Sequence, residues 1–576
     1  MEADQLDAAR RAAHGTVHHV QHPEAGGRPV WVIDAVPHVA VRLKRLLPRI
    51  QSARTGALAV VDTPESSRDL EWILDRYPMQ MTSETAAKLA ERADRHRRMQ
   101  DDVLAILGGR RLDAGVRTPA REPFPEQLES ADLATATGRL LVADEMGLGK
   151  SFTSLLVLRA ADALPALIVT LTHLPRQWIE KELAAAFPDL RGHVIRSTKV
   201  YDPGDVDVLA ISYSKLAAWA DYLAGLVNTV IYDEIQELRH RDTEKYRAAG
   251  RIADAATYRI GLSATPVYNW GGEAHSILDV IARDALGSRE EFQREWGSDL
   301  GNGKLAVQDP RRLGEYLRAE GLMVAHTRAE VGRELPEPVL AQQNVDGDPD
   351  VYRSMVGDAA EMARFVLDRT QNHTKRWQAA GQLDLKMRQA TGIAKAPAVA
   401  AFCSMLLEAG TDRLVLWGWH RAVYDIWTEC LADYRPVLYT GSETPAGKQK
   451  AVDRFLDGNS RILIMSLRSG AGLDGLQTGC GTGIFGELDW SPQVQLQCVG
   501  RLRRGDITEA PKGFFCVSDQ GSDPPMIELL DLKRMQNDPM VNPRLQPVQP
   551  TAANTRHIEA LANSVLAQQS LDLAAS

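Results

Sequence analysis

A chain of 576 residues exceeds what one hydrophobic core accommodates, and at roughly 150 residues per domain it divides into three or four. With 44% hydrophobic and 25% charged residues it has the composition of an ordinary globular protein. A net charge of -9 leaves a nucleic-acid partner open, because the local potential of a groove governs such binding and not the chain total. No run approaches the roughly 18 apolar residues of a membrane-spanning helix. The opening MEADQLDAARRAAHG lacks the basic start and apolar stretch of a secretory leader. Five dispersed cysteines fit neither a disulfide framework nor a zinc-ligand pattern, so the expected compartment is reducing. Abundant arginine and alanine point to a GC-rich genome, and hence to the cytoplasm of a bacterial or phage-infected cell.

Residues 28–111 read as a small α+β unit, with RPVWVIDAV and GALAVVDT as strands and Thr63-Pro64-Glu65 as a helix start. The proline- and arginine-rich VRTPAREPFPEQ marks a boundary near residue 120. Five apolar runs follow: GRLLVAD, PALIVTLT, VDVLAISY, NTVIYDE and YRIGLSATP, separated by helical patterns such as PRQWIEKELAAAF. Residues 270–400 read as mostly helical, and residues 412–518 repeat the strand scheme with RLVLWGW, RPVLYTG, SRILIMS, GTGIFGEL and GFFCVS. Continuous apolar strands alternating with helices predict parallel sheets covered on both faces. The fold class is therefore α/β, with two parallel-sheet lobes, helical insertions and a small α+β N-terminal domain. The expected boundaries are 1–115 for the accessory domain, 116–335 for lobe 1, 336–540 for lobe 2 and 541–576 for a tail.

The stretch LLVADEMGLGKSFTSLLVL breaks from a strand into a loop and then a helix. Gly147 and Gly149, flanking Leu148, let successive N–H groups face a phosphate; Lys150 can reach the terminal phosphates and Ser151 can ligate Mg²⁺. Asp144 stands where the generic pattern has its first glycine, and a plain turn is the alternative. In VIYDEIQ, Asp233 and Glu234 end an apolar strand, where a Mg²⁺-binding and a water-polarising carboxylate are needed. In QLQCVGRLRRGD, Gln497, Arg501 and Arg504 lie on a helical pattern, with the two arginines three apart on one face. Each taken singly also reads as a solvated surface feature; the three in order on two lobes point to a nucleoside triphosphatase.

These motifs resemble the Snf-type branch of superfamily-2 helicase-like ATPases. LVADEMGLGKS resembles its nucleotide loop, LIVTLTHLPRQWIEKEL motif Ia, AISYSKL motif Ib, YDEIQ motif II and GLSATPVYN motif III. AHTRAEVGRELPE is similar to the inter-lobe marker, LVLWGWHRAVYDIW to motif IV, IMSLRSGAGLDGLQ to motif V and LDWSPQVQLQCVGRLRR to motif VI. The likeness covers about residues 120–535, and TGIAK and YTGS look closest to the annealing-helicase sub-branch and its bacterial and phage relatives. It implies tandem RecA-like lobes that use ATP and Mg²⁺ on duplex or branched DNA. The departures are Ile235-Gln236 in motif II, Ser263-Ala264-Thr265 in motif III, Asp474 in motif V and Gly505-Asp506 after motif VI.

The implied catalytic set is Lys150, Asp233, Glu234, Gln497, Arg501 and Arg504. Gln127, Asp144, Gly147, Leu148, Gly149, Lys150, Ser151 and Gly472 would bind nucleotide, with Ser151 and Asp233 holding the metal. Ser263 and Thr265 would couple hydrolysis to movement. Thr172, His173, Ser212, Tyr213, Arg468 and Ser469 are the candidate DNA contacts, although Tyr213 also reads as a packed ring and Arg468 as an ion-pair partner. Trp178 reads as core. Arg42, Lys44, Arg45, Arg49 and RADRHRRMQ read as solvated faces or as a further DNA surface. The expected function is an ATP-dependent DNA translocase that remodels or anneals DNA. A strand-separating DNA or RNA helicase and a non-hydrolysing ATP-binding clamp are the alternatives. No membrane partner is expected, and no protein partner is indicated.

Overall fold

The computed structural model describes residues 14–21, 29–47, 51–52, 57–113, 115–264, 272–299, 305–357, 359–368, 370, 373–467, 475–490, 492–503 and 507–527. The chain forms two compact units, one of Met1–Ala143, Lys150–Pro266 and Trp270–Val324, the other of Asp144–Gly149, Val267–Asn269 and Ala325–Ser576.

The first unit begins with four antiparallel strands, β1 (Gly15–Gln21), β2 (Pro29–Ala35), β3 (Gln51–Ser52) and β4 (Leu58–Val61), in the order β1-β2-β4-β3. The helix Pro64–Arg76 starts as its sequence predicts: Ser66 N donates to Thr63 Oγ1 at 3.1 Å and Thr63 N to Ser66 Oγ at 3.0 Å. The longer helix Ser83–Leu107 serves two cores. Its Leu89 packs with Trp31, Ile33 and Leu70 in the core of the accessory domain, while Val103 and Ile106 pack with Leu133, Leu140 and Phe152 in the core around the main sheet.

A half-buried charged cluster sits where these two cores meet. Arg139 forms an ion pair with Glu65. Burial opposes ionisation of Glu65, but the Arg139 guanidinium and a backbone hydrogen bond hold its carboxyl down to about 2. Arg259, half-buried next to Arg139, is pushed down to about 10 by desolvation and by the Arg139 charge. His96 is 1% exposed, with neither ring nitrogen hydrogen-bonded, and burial lowers its pKa despite the attraction of Glu65. Arg68, Asp69 and Arg139 are the other charges that act on it. The unfolded chain therefore takes up a proton at His96 that the folded chain refuses, so stability falls as pH drops below the unfolded value of about 6.5. Glu65 works in the same sense, over a more acidic window. Its stabilisation is present above the unfolded carboxylate pKa and is lost only as pH falls toward 2. His96→Phe is expected to remove up to about 1.4 kcal/mol per pH unit of acid sensitivity between pH 6.5 and 5. Urea melts of both proteins at pH 7.5 and 5.5 check this; equal losses in the two proteins would contradict it.

The main sheet of the first unit contains β5 (Arg139–Val142), β6 (Ala166–Thr170), β7 (Gly192–Val194), β8 (Val208–Ser212), β9 (Thr229–Asp233) and β10 (Tyr258–Leu262). After a two-stranded hairpin, β11 (Gly297–Asp299) with β12 (Leu305–Val307), the short β13 (Met323–Val324) completes it. All neighbours are parallel, in the order β13-β5-β10-β9-β6-β8-β7. Register fixes the site: Leu262 pairs with Val142 on one side and with Asp233 on the other. The segments that follow β5, β10 and β9 thus leave the sheet at one level, at its carboxyl edge, where parallel sheets bind ligands.

The second unit holds a six-stranded parallel sheet of β14 (Val339–Asn344), β15 (Leu414–Gly418), β16 (Val437–Tyr439), β17 (Ile462–Ser466), β18 (Thr482–Phe485) and β19 (Lys512–Val517), ordered β14-β19-β18-β15-β17-β16. Two parallel sheets flanked by helices are the α/β class expected of tandem RecA-like lobes. The region 270–400 is less uniformly helical than its composition suggests, since β11 to β14 fall within it. The helix His373–Glu408 corrects a second expectation. Its Gln378–Glu408 segment is long and apolar enough, by length and composition alone, to cross a membrane. Its Ala396, Val399, Ala400 and Cys403 pack against Leu414, Leu416 and Ile464 of the sheet, so it is a core helix here. Four of the five cysteines are buried: burial pushes Cys480 and Cys516 up to about 12 and raises Cys403 and Cys498 as well, while Cys430 is exposed.

Candidate active site

The loop after β5 carries the phosphate-cradle candidates. Gly147 and Gly149 both have left-handed backbones, φ +87° and +86°, a conformation that costs any residue with a Cβ. Leu148 between them is buried, and Lys150 and Ser151 open the helix Lys150–Leu155. Asp144, in the place of the usual first glycine, is 1% exposed. Its Oδ1 accepts from His326 N at 2.9 Å and from His326 Nδ1 at 2.8 Å.

At the carboxyl end of β9, Asp233 is gripped by two donors on one oxygen: Thr170 Oγ1 at 2.7 Å and Trp178 Nε1 at 2.9 Å, both to Oδ2. Burial raises its pKa, and these hydrogen bonds, then the nearby Lys150 ammonium, act against the rise. Glu234 follows with φ +51°, a left-handed conformation rare for a residue with a side chain and frequent at functional sites. That kink turns the chain straight from the strand into a short helical turn, Ile235–Leu238. The Gln236 side-chain amide donates to the Glu234 carboxylate, so the departure from the usual histidine still holds this acid. Ile235 packs its Cδ1 where a Cβ on Gly261 would stand.

Thr170 and Trp178 are partners that sequence reasoning did not single out. Trp178 is buried, as its apolar pattern predicts, but it also spends its one polar atom on Asp233. It opens a π-helical turn, Trp178–Leu183, an irregularity frequent at functional sites. Ser263, buried at the end of β10, donates its N–H to Val142 O at 3.1 Å and so sits between the two motifs. Gln127 is buried, and its Oε1 accepts from Phe124 N at 3.1 Å at the start of the helix Pro125–Thr137.

Of the candidate DNA contacts, Thr172 and His173 are exposed just beyond β6. Ser212 and Tyr213 are buried; Tyr213 Oη donates to Asp233 O at 2.8 Å, and Ser212 Oγ accepts from Lys215 Nζ at 3.1 Å. Tyr213 thus supports motif II from below. In the second unit, Gln497 is half-buried and Arg501 buried on the helix Pro492–Leu502. Gly500 on this helix faces Met146 of the loop, with a Cβ position 3.1 Å from Met146 Cε. Thr265, Arg468, Ser469, Gly472 and Arg504 lie outside the described residues.

A lysine at a helix start and a half-buried carboxylate at the carboxyl edge of one parallel sheet, with two left-handed glycines just ahead of the lysine in the chain, are the features of a nucleotide-binding α/β fold. The family described as SNF2-related domain matches residues 67–354, half of the chain, and the protein belongs to that family. Among curated relatives, the mouse DNA annealing helicase and endonuclease ZRANB3 is 24% identical over 437 residues, covering 72% of this chain and 40% of that protein. A Caenorhabditis elegans homologue of SWI/SNF-related matrix-associated actin-dependent regulator of chromatin subfamily A-like protein 1 is 27% identical over 431 residues, covering 71% and 60%. The chain therefore spans less than two thirds of the length of these relatives. Among solved structures, the Sulfolobus solfataricus SWI2/SNF2 ATPase core in complex with dsDNA matches at 18% identity and a TM-score of 0.36, covering 75% of this chain and 95% of that one.

Proposed function

We propose that this protein is an ATP-dependent DNA translocase that hydrolyses ATP on binding duplex or branched DNA and remodels or anneals it. The observation that carries the reading is the nearness of Lys150 to the half-buried, doubly hydrogen-bonded Asp233 at one sheet edge, with two left-handed glycines just ahead of that lysine in the chain. Family membership and relatives named as annealing helicases support the choice of DNA as partner. In this reading the loop N–H groups and Lys150 bind the triphosphate, and Glu234, aimed by its left-handed backbone and Gln236, orients the attacking water.

The donor set suits Mg²⁺: a serine hydroxyl at a helix start and a carboxylate at a strand end are hard oxygen ligands. Ser151 and Asp233 would hold the ion, which when bound neutralises charge on the phosphates. Thr170 and Trp178 hold the Asp233 carboxylate in one orientation for that purpose. Arg501 and Arg504 are the residues we assign to the γ-phosphate. A nucleotide moves such a machine only through unequal affinity for its open and closed states. Grip on the DNA backbone then alternates, and binding is salt-dependent and nearly indifferent to sequence.

The test is one titration of ATP turnover with single-stranded, duplex and forked DNA and with RNA. Duplex or forked DNA is expected to raise turnover at least about tenfold, with RNA inactive, in line with the 10-fold and larger effects that completing a phosphoryl-transfer site produces. A rate indifferent to every DNA contradicts the motor. Strand displacement on a tailed duplex separates this reading from a true helicase, the alternative that Ser263-Ala264-Thr265 favours.

A further inference from the structure

The phosphate loop is not shaped by its own sequence alone. Leu141 N donates to Leu322 O at 2.9 Å, Ala143 N to Val324 O at 2.7 Å and Glu145 N to His326 O at 2.9 Å. Donors at alternate residues form a parallel ladder, and its last rung lies past the ends of both β5 and β13, inside the loop. Side chains continue the attachment. Asp144 is held by the two His326 donors, and Arg328 N donates to Glu145 Oε2 at 2.8 Å. Arg328 Nη2 donates to Met146 O at 2.8 Å, and a Cβ on Gly147 would overlap that same Nη2. Residues 144, 145, 146 and 147 are thus each met by residue 326 or 328.

We propose that Arg328 is a positioning residue for nucleotide binding, holding the loop in the conformation that receives a triphosphate. The inference rests on the proposed ATPase reading and adds to it a residue that no part of the phosphate motif contains. The physical link is the planarity of the peptide group. The Met146 carbonyl and the Gly147 N–H lie in one trans peptide and point in opposite directions. Drawing the carbonyl onto Arg328 therefore turns the Gly147 N–H away from the arginine, to the side on which a phosphate would bind in this reading. The guanidinium, buried and planar, also fills the space above Gly147 that any larger residue would claim. Asp144 gains a reason in the same scheme. Where other phosphate loops carry a glycine, this one carries a carboxylate that fastens the loop to His326.

The test uses the full chain with Arg328→Ala and Arg328→Lys. The measured quantities are the Kd of a fluorescent ATP analogue, KM and kcat for ATP with saturating duplex DNA, and the nucleotide-free melting temperature. Arg328→Ala is expected to raise Kd and KM about tenfold or more, as loss of a charge-assisted hydrogen bond does, with kcat within about threefold. The nucleotide-free melting temperature is expected to stay within about 3 °C of the wild type. Arg328→Lys, which keeps a charged donor without the planar fork, is expected to fall between the two. An unchanged Kd overturns the inference; so does a Kd that rises only together with a collapsed melting temperature. Should the alanine variant fail to fold, the lysine variant decides against the wild type: a threefold or greater rise in Kd supports the role and an unchanged Kd removes it. A wild type that binds the analogue without hydrolysing ATP defeats the proposed function, while the analogue affinities still judge Arg328.

Discussion

Glu234→Gln is expected to lower DNA-stimulated ATP turnover by about 10³-fold while leaving ATP affinity within a few-fold of the wild type. The two acids at the end of β9 are held differently, and that separates their roles. Asp233 has one oxygen tied down by Thr170 and Trp178, so it is fixed and suited to ligation. Glu234 stands one residue on, past the kink, and its carboxylate receives the Gln236 amide. Glutamine at 234 keeps the side-chain length, an acceptor for Gln236 and the backbone geometry. It removes only the negative charge that polarises water. Phosphate release at saturating ATP and duplex DNA, together with binding of a fluorescent ATP analogue, measures the two halves. Residual turnover above a tenth of wild type would mean that Glu234 does not orient the water.

The second large effect concerns stability and lies away from the nucleotide. Lys395, 1% exposed, donates from Nζ to Asp523 Oδ2 at 2.6 Å and to Cys516 O at 2.7 Å. The same Asp523 oxygen accepts from Ser518 N at 2.9 Å. Asp523→Ala leaves the ammonium buried without its counter-charge and is expected to destabilise the second unit by roughly 3–5 kcal/mol. Replacing both partners, Lys395→Met with Asp523→Leu, is expected to recover most of that loss, because a buried pair exchanged for apolar groups of similar volume is often neutral. Chemical denaturation of the three proteins measures this. A loss below about 1 kcal/mol in Asp523→Ala would show that the ammonium reaches solvent without Asp523.

That ion pair gives the TGIAK segment a physical meaning that its family likeness does not supply. Thr391 accepts from Ser522 N at 3.0 Å, Gly392 leaves room for the Glu487 carboxylate, and Lys395 reaches Asp523. All three residues tie one core helix to the loops that leave the sheet, which no local pattern announces.

Elsewhere, legibility followed burial. Strands β5, β6, β8, β9 and β10 stand out as continuous apolar runs because both faces of their sheet are covered. The strands that were missed are short or lie at an edge. β13 has two residues, β1 carries consecutive histidines, and β14 reads VLAQQN with mostly exposed or half-exposed positions. Lys150, Asp233 and Glu234 were readable because motif and chemistry coincide within a few residues. Thr170 and Trp178 were not, since a tryptophan in an apolar helix pattern looks the same whether or not its indole holds a carboxylate. Arg328 stands out in the sequence only as part of a marker between lobes; its contact with Met146 spans 182 residues and exists only once β13 lies beside β5.

The uneven burial of the cysteines has a practical use. Four thiols are shut inside the second unit, where burial disfavours the reactive thiolate, and Cys430 alone meets solvent. A maleimide dye therefore has one entry point on the native sequence. A single engineered cysteine on the first unit would complete a donor–acceptor pair, and distance changes during the nucleotide cycle would become visible one molecule at a time.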